Sequence, residues 1–209
     1  MTRVGVVGHV EWVEFAVVPR MPQPGEIVHA SETLALPGGS GASVAVGLRK
    51  LAGAAAFLTS VGADGLGDRA VRELTGAGVD VHAVRRADAP TRRCWTHIDG
   101  DGERTITVLG ERIAPRGEDD ELPWDDLAGW DAAFFSAGDA AALRQARSAR
   151  VLVITRRALD AAIAADIAID AVVSSANDPG EQGDLSAMTV APRLVVERSE
   201  ERRVGKECA

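Results

Sequence analysis

The sequence predicts an α/β fold: a mainly parallel sheet flanked by helices, with a small β-sheet projecting from it as a lid. Two observations carry that prediction. Short apolar, β-branched runs alternate with amphipathic runs along most of the 209 residues, the order that builds a parallel sheet with helices on both faces. Two stretches, residues 10–36 and 92–109, lose the alternation and read as strands with no helix between them.

Each element has its own signal. Residues 3–7 form a first buried strand, closed by Gly8. Residues 43–51 have helical spacing, with Val44, Leu48 and Leu51 on one face. An apolar strand follows at 54–61. Residues 68–75 form a helix with Val71 and Leu74 inward, ended by the Gly76-Ala77-Gly78 cap signal. Residues 79–84 are the next strand. Residues 92–110 read as a hairpin turning at Asp99-Gly100-Asp101-Gly102. Strands at 132–136, 151–155 and 171–174 enclose helices at 139–148 and 157–165.

Composition narrows the function. Apolar residues make up 46% and charged residues 26%, an ordinary globular profile. The net charge of −8 and pI near 5.0 argue against nucleic acid or an anionic membrane as the main partner. An anionic small molecule stays compatible, because a local site can oppose the net charge. No apolar run is long enough to span a bilayer. The start, "MTRVGVVGHV", lacks a signal peptide's longer apolar stretch and cleavage site, so a cytoplasmic protein is expected. Cys94 and Cys208 have no metal-ligand spacing.

The densest run of small residues, "GGSGAS" at Gly38, Gly39, Ser40, Gly41, Ala42 and Ser43, stands directly before a helix. Such a cluster lets something approach the backbone closely: a ligand at the helix's free N–H groups, or a neighbouring element in tight packing. It is neither a G-x-G-x-x-G fingerprint nor a P-loop. That excludes a Rossmann-type dinucleotide-binding protein, whose glycines would follow the first strand.

At these residues the chain resembles the ribokinase-like, or PfkB, family of carbohydrate kinases. The family's G-G-x-G-x-N loop corresponds to "GGSGAS", its following strand to "AAAFLTSVG", and its G-x-D-x-x-G turn to "GADGLG", Gly62 to Gly67. "AVRELTGAGVDVHAV", "GEIVHA" after "PQP", and "DGERTITVLG" resemble the segments leading to and forming the family's lid. The likeness runs from residue 2 to about 196 and rests on order and spacing. It implies a Rossmann-like, ribokinase-like body with a β lid, and transfer of the γ-phosphoryl group of ATP to a sugar or related hydroxyl, with Mg²⁺.

The resemblance also implies site residues. Gly38, Gly39 and Gly41 would meet the sugar, with Ser43 where the family usually has asparagine. The family's sugar-gripping acid falls by count on Val13, which leaves Glu14 beside it or Glu11 two before, unless these are solvated lid carboxylates. Asp64 and Asp139 are further sugar candidates, and each is equally an N-cap. His9, at pocket height, reads as a structural hydrogen-bonder or a catalyst. For the metal, "SAND" stands at the place of an N-x-x-E motif, with Asp178 as the candidate for Mg²⁺ waters, near Asn177 and Glu181, unless it is an ordinary polar turn.

The family's D-T-x-G-A-G-D segment, which supplies an anion hole and the catalytic base, has no counterpart here. Residues 198–208, "RSEERRVGKEC", resemble a translated sequencing adapter residue for residue. The expectation is one truncated α/β domain over 1–197, lid from 10–36 and 92–109, an artefactual tail at 198–209, and no catalytic residue in the chain. The alternative is a non-catalytic small-molecule-binding domain of the same fold. The lid's apolar residues Trp12, Phe15, Val17, Trp95 and Ile98 would either pair with a second subunit's lid in a homodimer or close over their own pocket.

Overall fold

The computed structural model describes residues 2–198. In chain order the elements are β1 (Val4–Val7), β2 (Glu11–Val17), β3 (Glu32–Gly38), α1 (Gly39–Ala52), β4 (Ala56–Gly62), α2 (Gly65–Gly76), β5 (Asp80–Arg86), β6 (Arg93–Ile98) and β7 (Arg104–Leu109). They continue with β8 (Ala132–Phe135), α3 (Ala140–Ala146), β9 (Val151–Thr155), α4 (Leu159–Ala165), β10 (Ala171–Ser175) and β11 (Leu194–Arg198). The tail reading falls outside the described residues except for Arg198, which ends β11.

Seven strands form one sheet in the order β11-β10-β9-β8-β1-β4-β5, every neighbouring pair parallel. Strand alternation divides the core in two. Val6 and Phe57 point to the face covered by α1 and α2, where Ala42, Ala45, Ala70 and Leu74 are buried. Val7 and Leu58 point to the other face, with Phe135, Leu143, Leu152 and Ile154. The central strands are therefore apolar on both faces, as a covered parallel sheet requires.

The four remaining strands form a separate sheet, β3-β2-β6-β7. Trp12 fastens its base to the body: it is 2% exposed, and the Arg69 guanidinium of α2 lies 4.4 Å from its ring centre. Register corrects the expected apolar lid face. Glu14 lies opposite Trp95 and Phe15 opposite Thr96, so Trp12 and Trp95 share one face while Phe15, Val17 and Ile98 share the other. The second face is the apolar one, with Leu36 opposite Val13, Leu34 opposite Phe15, and Val108 and Ile106 opposite Cys94 and Thr96. Among the described residues no helix is long and apolar enough to cross a membrane.

Candidate active site

The small-residue run is not a loop. Lid strand β3 ends at Gly38 and α1 begins at Gly39, so the lid feeds straight into a helix of the body. Gly39 makes the join with φ +85, in the left-handed region that disfavours other residues. Gly38 is the N-cap of α1 and supplies no side-chain hydrogen bond, and the first turn carries no acid. The helix therefore presents amides that no side chain caps.

The three glycines serve different ends. A Cβ at Gly39 would stand 3.0 Å from His9 Nε2 and 3.3 Å from Glu11 Cγ, so Gly39 lies against those two residues. A Cβ at Gly41 would stand 2.6 Å from the His9 carbonyl oxygen and 2.9 Å from the Phe57 ring. What approaches the Cα of Gly41 is the protein itself, so its missing side chain serves helix–strand packing. A Cβ at Gly38 would meet Val13 Cγ2 at 2.5 Å. Ser43 is exposed on α1.

His9 lies just past the carboxyl end of β1, where a parallel sheet gathers its loops. It is 6% exposed, and its Nδ1 finds no hydrogen-bond partner among the described residues. Burial first, then the charges of Arg112, Arg92 and Arg157, push its pKa down to about 3, so the ring is neutral near pH 7. Glu11 stands at the same junction, with Arg92 Nε 3.4 Å from its carboxylate. Burial, together with the charge of Glu11 and a hydrogen bond to it, pushes the Cys94 thiol up to about 12, so Cys94 is an inert donor. Glu14 lies on the opposite lid face, where Arg93 Nη2 donates to it at 2.6 Å.

Three expected ligand carboxylates are occupied by the fold. Asp64 caps α2 through the Gly67 amide at 2.8 Å and holds Thr91 through its amide at 2.7 Å and hydroxyl at 2.8 Å. Partial burial raises its pKa, but these hydrogen bonds outweigh that and leave it below the usual range. Asp139 caps α3 through the Ala142 amide at 2.7 Å and accepts from Gly117 at 3.0 Å. Both carboxylates, expected as sugar contacts or N-caps, cap their helices and anchor loops.

Asp178 is held by the Arg157 guanidinium and accepts from the Gly180 amide at 2.9 Å. Glu181 accepts from the Thr155 hydroxyl at 3.1 Å and from the Ser175 amide. Among the described residues no group of three or more His, Cys, Asp or Glu side chains could hold a metal ion. The magnesium role expected of Asp178 does not fit a carboxylate already neutralised by arginine, and no step is derived through that metal.

Sequence reasoning missed the cations. Arg92 precedes β6, Arg112 follows β7 and Arg157 follows β9, and all three act on His9. Arg112 lines a cavity of about 390 Å³ with Arg86, Arg116, Asp88, Glu111 and Asp139. Nothing in their spacing announces a site; only the topology brings them together.

The profile of the pfkB family carbohydrate kinase matches residues 1–189. Over 110 residues the chain is 30% identical to a ribokinase of Staphylococcus aureus, covering 52% of this chain and 36% of that protein. Over 111 residues it is 38% identical to an ATP-dependent ribose-1-phosphate kinase of Halopiger xanaduensis, covering 53% and 37%. The chain thus matches just over a third of the length of these relatives. A solved ribokinase structure from Giardia lamblia superposes with a TM-score of 0.75 at 15% identity, over 97% of this chain and 70% of that one, a likeness of fold.

Proposed function

The chain belongs to the pfkB family of carbohydrate kinases, and from that premise we propose that the complete protein transfers the γ-phosphoryl group of ATP to a hydroxyl of a sugar or related compound. The acceptor lies in the cleft where lid and body meet, over the first turn of α1. The observation that carries this reading is the open start of α1, bordered by the buried, part-unsatisfied His9 and by Glu11 at the foot of the lid.

The chain's own residues contribute binding and exclusion of water. Amides of Gly39 and Ser40 donate to acceptor oxygens. Glu11 accepts from acceptor hydroxyls, and neutral His9 turns Nε2, the ring nitrogen beside Gly39, toward one more. The lid strands cover the pocket, which strengthens each of these contacts. ATP and Mg²⁺ are the co-substrate and metal of this reading; the ATP-dependent relative supports the first.

The same proposal covers the chain's extent. No D-T-x-G-A-G-D segment occurs in the 209 residues, so the general base and anion hole belong to a segment this sequence does not contain. General-base assistance alone contributes about 10²–10⁴-fold, and the 209-residue chain by itself is expected to be inactive. A cytoplasmic setting and a homodimer through the apolar lid face belong to the proposal too. Leu34, Ile106 and Val108 are exposed on that face, at 59%, 53% and 45%, which supports a covering partner. Sedimentation of the chain should show a dimer that Ile106→Glu dissociates.

The test of function is an assay of the chain beside a form extended with its native continuation, using ATP, Mg²⁺ and a panel of sugars and nucleosides. Turnover by the extended form alone is the expected result. Equal turnover by the 209-residue chain would mean that a base lies within it. Inactivity of both, with sugar binding retained, would favour the non-catalytic binding domain.

A further inference from the structure

We propose that a cavity at the amino ends of the central strands binds a small zwitterion, an amino acid with an aliphatic side chain, its carboxylate on Arg3 and Arg49 and its ammonium on Asp126. This place is separate from the acceptor cleft. Strand β1 starts at the cavity with Val4 and runs away from it toward His9. The two sites lie at opposite ends of the sheet, and neither reading depends on the other.

The cavity holds about 360 Å³. Ala55, Pro123 and Trp130 give it an apolar wall. The Trp130 ring lies across β1, where a Cβ at Gly5 would stand 1.8 Å from it. The charged lining is Arg3, Arg49, Asp80, His82 and Asp126.

Arg49 stands in the last turn of α1, and its Nε donates to the Gly78 carbonyl at 2.9 Å. Gly78 has φ +85, and a Cβ there would stand 2.8 Å from that Nε. The glycine signal that ends α2 therefore also makes room for Arg49. This anchor fixes the guanidinium by one N–H and leaves both Nη groups without a partner among the described residues. The guanidinium of Arg3 likewise has no hydrogen bond or ion pair among the described residues, although its backbone amide donates to Asp131 at 2.9 Å. Arg86 shows the contrast: it binds both oxygens of Asp119, at 2.7 Å and 2.6 Å. Of the two carboxylates, Asp80 has His82 Nε2 at 3.2 Å. The Asp126 carboxylate has no partner among the described residues.

Unpaired groups of both signs thus line one cavity. A plain anion would satisfy the arginines but leave Asp126 opposed to it. It would also meet the carbonyl end of α1, closed at Gly53 on the cavity wall, which disfavours negative charge. A plain cation would meet the arginines. A zwitterion answers both: guanidinium N–H groups donate to its carboxylate in pairs, and its ammonium donates to Asp126 and is favoured by the helix end. An aliphatic side chain then lies against Trp130.

The experiment is titration calorimetry on the 209-residue chain, folding being checked by circular dichroism. The probes are leucine, isocaproate as its analogue without the ammonium, isoamylamine as its analogue without the carboxylate, and inorganic phosphate. Leucine should bind at least about tenfold more tightly than either analogue. Arg3→Ala should lower leucine affinity toward that of isoamylamine, and Asp126→Asn toward that of isocaproate. Both residues are exposed, so these variants keep the fold. Arg49→Ala should act as Arg3→Ala does, with Arg49→Lys restoring part of the affinity. Isocaproate or phosphate binding as tightly as leucine overturns the proposal and makes this a plain anion site. Leucine binding that is indifferent to Arg3→Ala and Asp126→Asn overturns it by placing leucine elsewhere. A folded chain that does not bind leucine also overturns it, and each of these outcomes leaves the acceptor cleft standing.

Discussion

Helices α1 and α2 cover the same face of the main sheet, and both begin at a glycine, Gly39 and Gly65, yet their first turns are finished differently. Asp64 caps α2, and its second oxygen ties down Thr91 ahead of β6. Gly38 begins α1 with no side-chain cap and no acid in the first turn. A helix start satisfied by its own chain is architecture; one left open beside an unsatisfied buried histidine is where we propose that the ligand binds. Both belong to motifs that the sequence links to the sugar site, and the structure separates them.

The largest expected effect tests where α1 stops being a site and becomes packing. Gly41→Val drives a side chain into the His9 carbonyl and Phe57 and should cost roughly 3 kcal/mol or more, read as a lower urea midpoint. Asp64→Ala should cost about 2 kcal/mol by stranding the Gly67 and Thr91 donors. Ligand affinity should hold in the fraction that stays folded. A large loss of affinity with unchanged stability would erase the distinction between the two helix starts.

His9 gives the next effect. Its folded pKa of about 3 lies below the unfolded value near 6.5, so the unfolded chain binds the proton more readily between the two. Stability from this group is therefore intact above about pH 6.5 and falls as pH drops toward 3. Between pH 7 and 5 the loss is about 2 kcal/mol. His9→Gln should flatten that limb in chemical denaturation at both pH values; an unchanged slope would place the ring in water. The smallest effect belongs to Gly39→Ala, which forces an L side chain to φ +85 and should cost about 1 kcal/mol while weakening ligand binding.

Most of the fold was legible in the sequence because both periodicities were clean. Strand β9 has the predicted bounds, and the central strands shift by a residue or two. Helix α1 begins at Gly39 rather than at residue 43, since three glycines argue against helix locally and only the junction with β3 shows that they start one. The lid was visible as lost alternation, but its faces were not, because register decides which side each residue takes. The site was less legible. Glycines announce themselves by composition. Arg92, Arg112 and Arg157 are separated by long stretches of chain and carry no motif, and residues 110–131 offered no periodicity from which to place Arg112.

The most direct measurement of the central claim is amide chemical-shift mapping of the folded chain during titration with its best-binding sugar or sugar phosphate. Shifts are expected at Gly39, Ser40 and the neighbouring His9 and Glu11, while Leu66, Gly67 and Asp68 at the start of α2 stay unmoved. Shifts centred on the start of α2, with Gly39 and His9 silent, would contradict it.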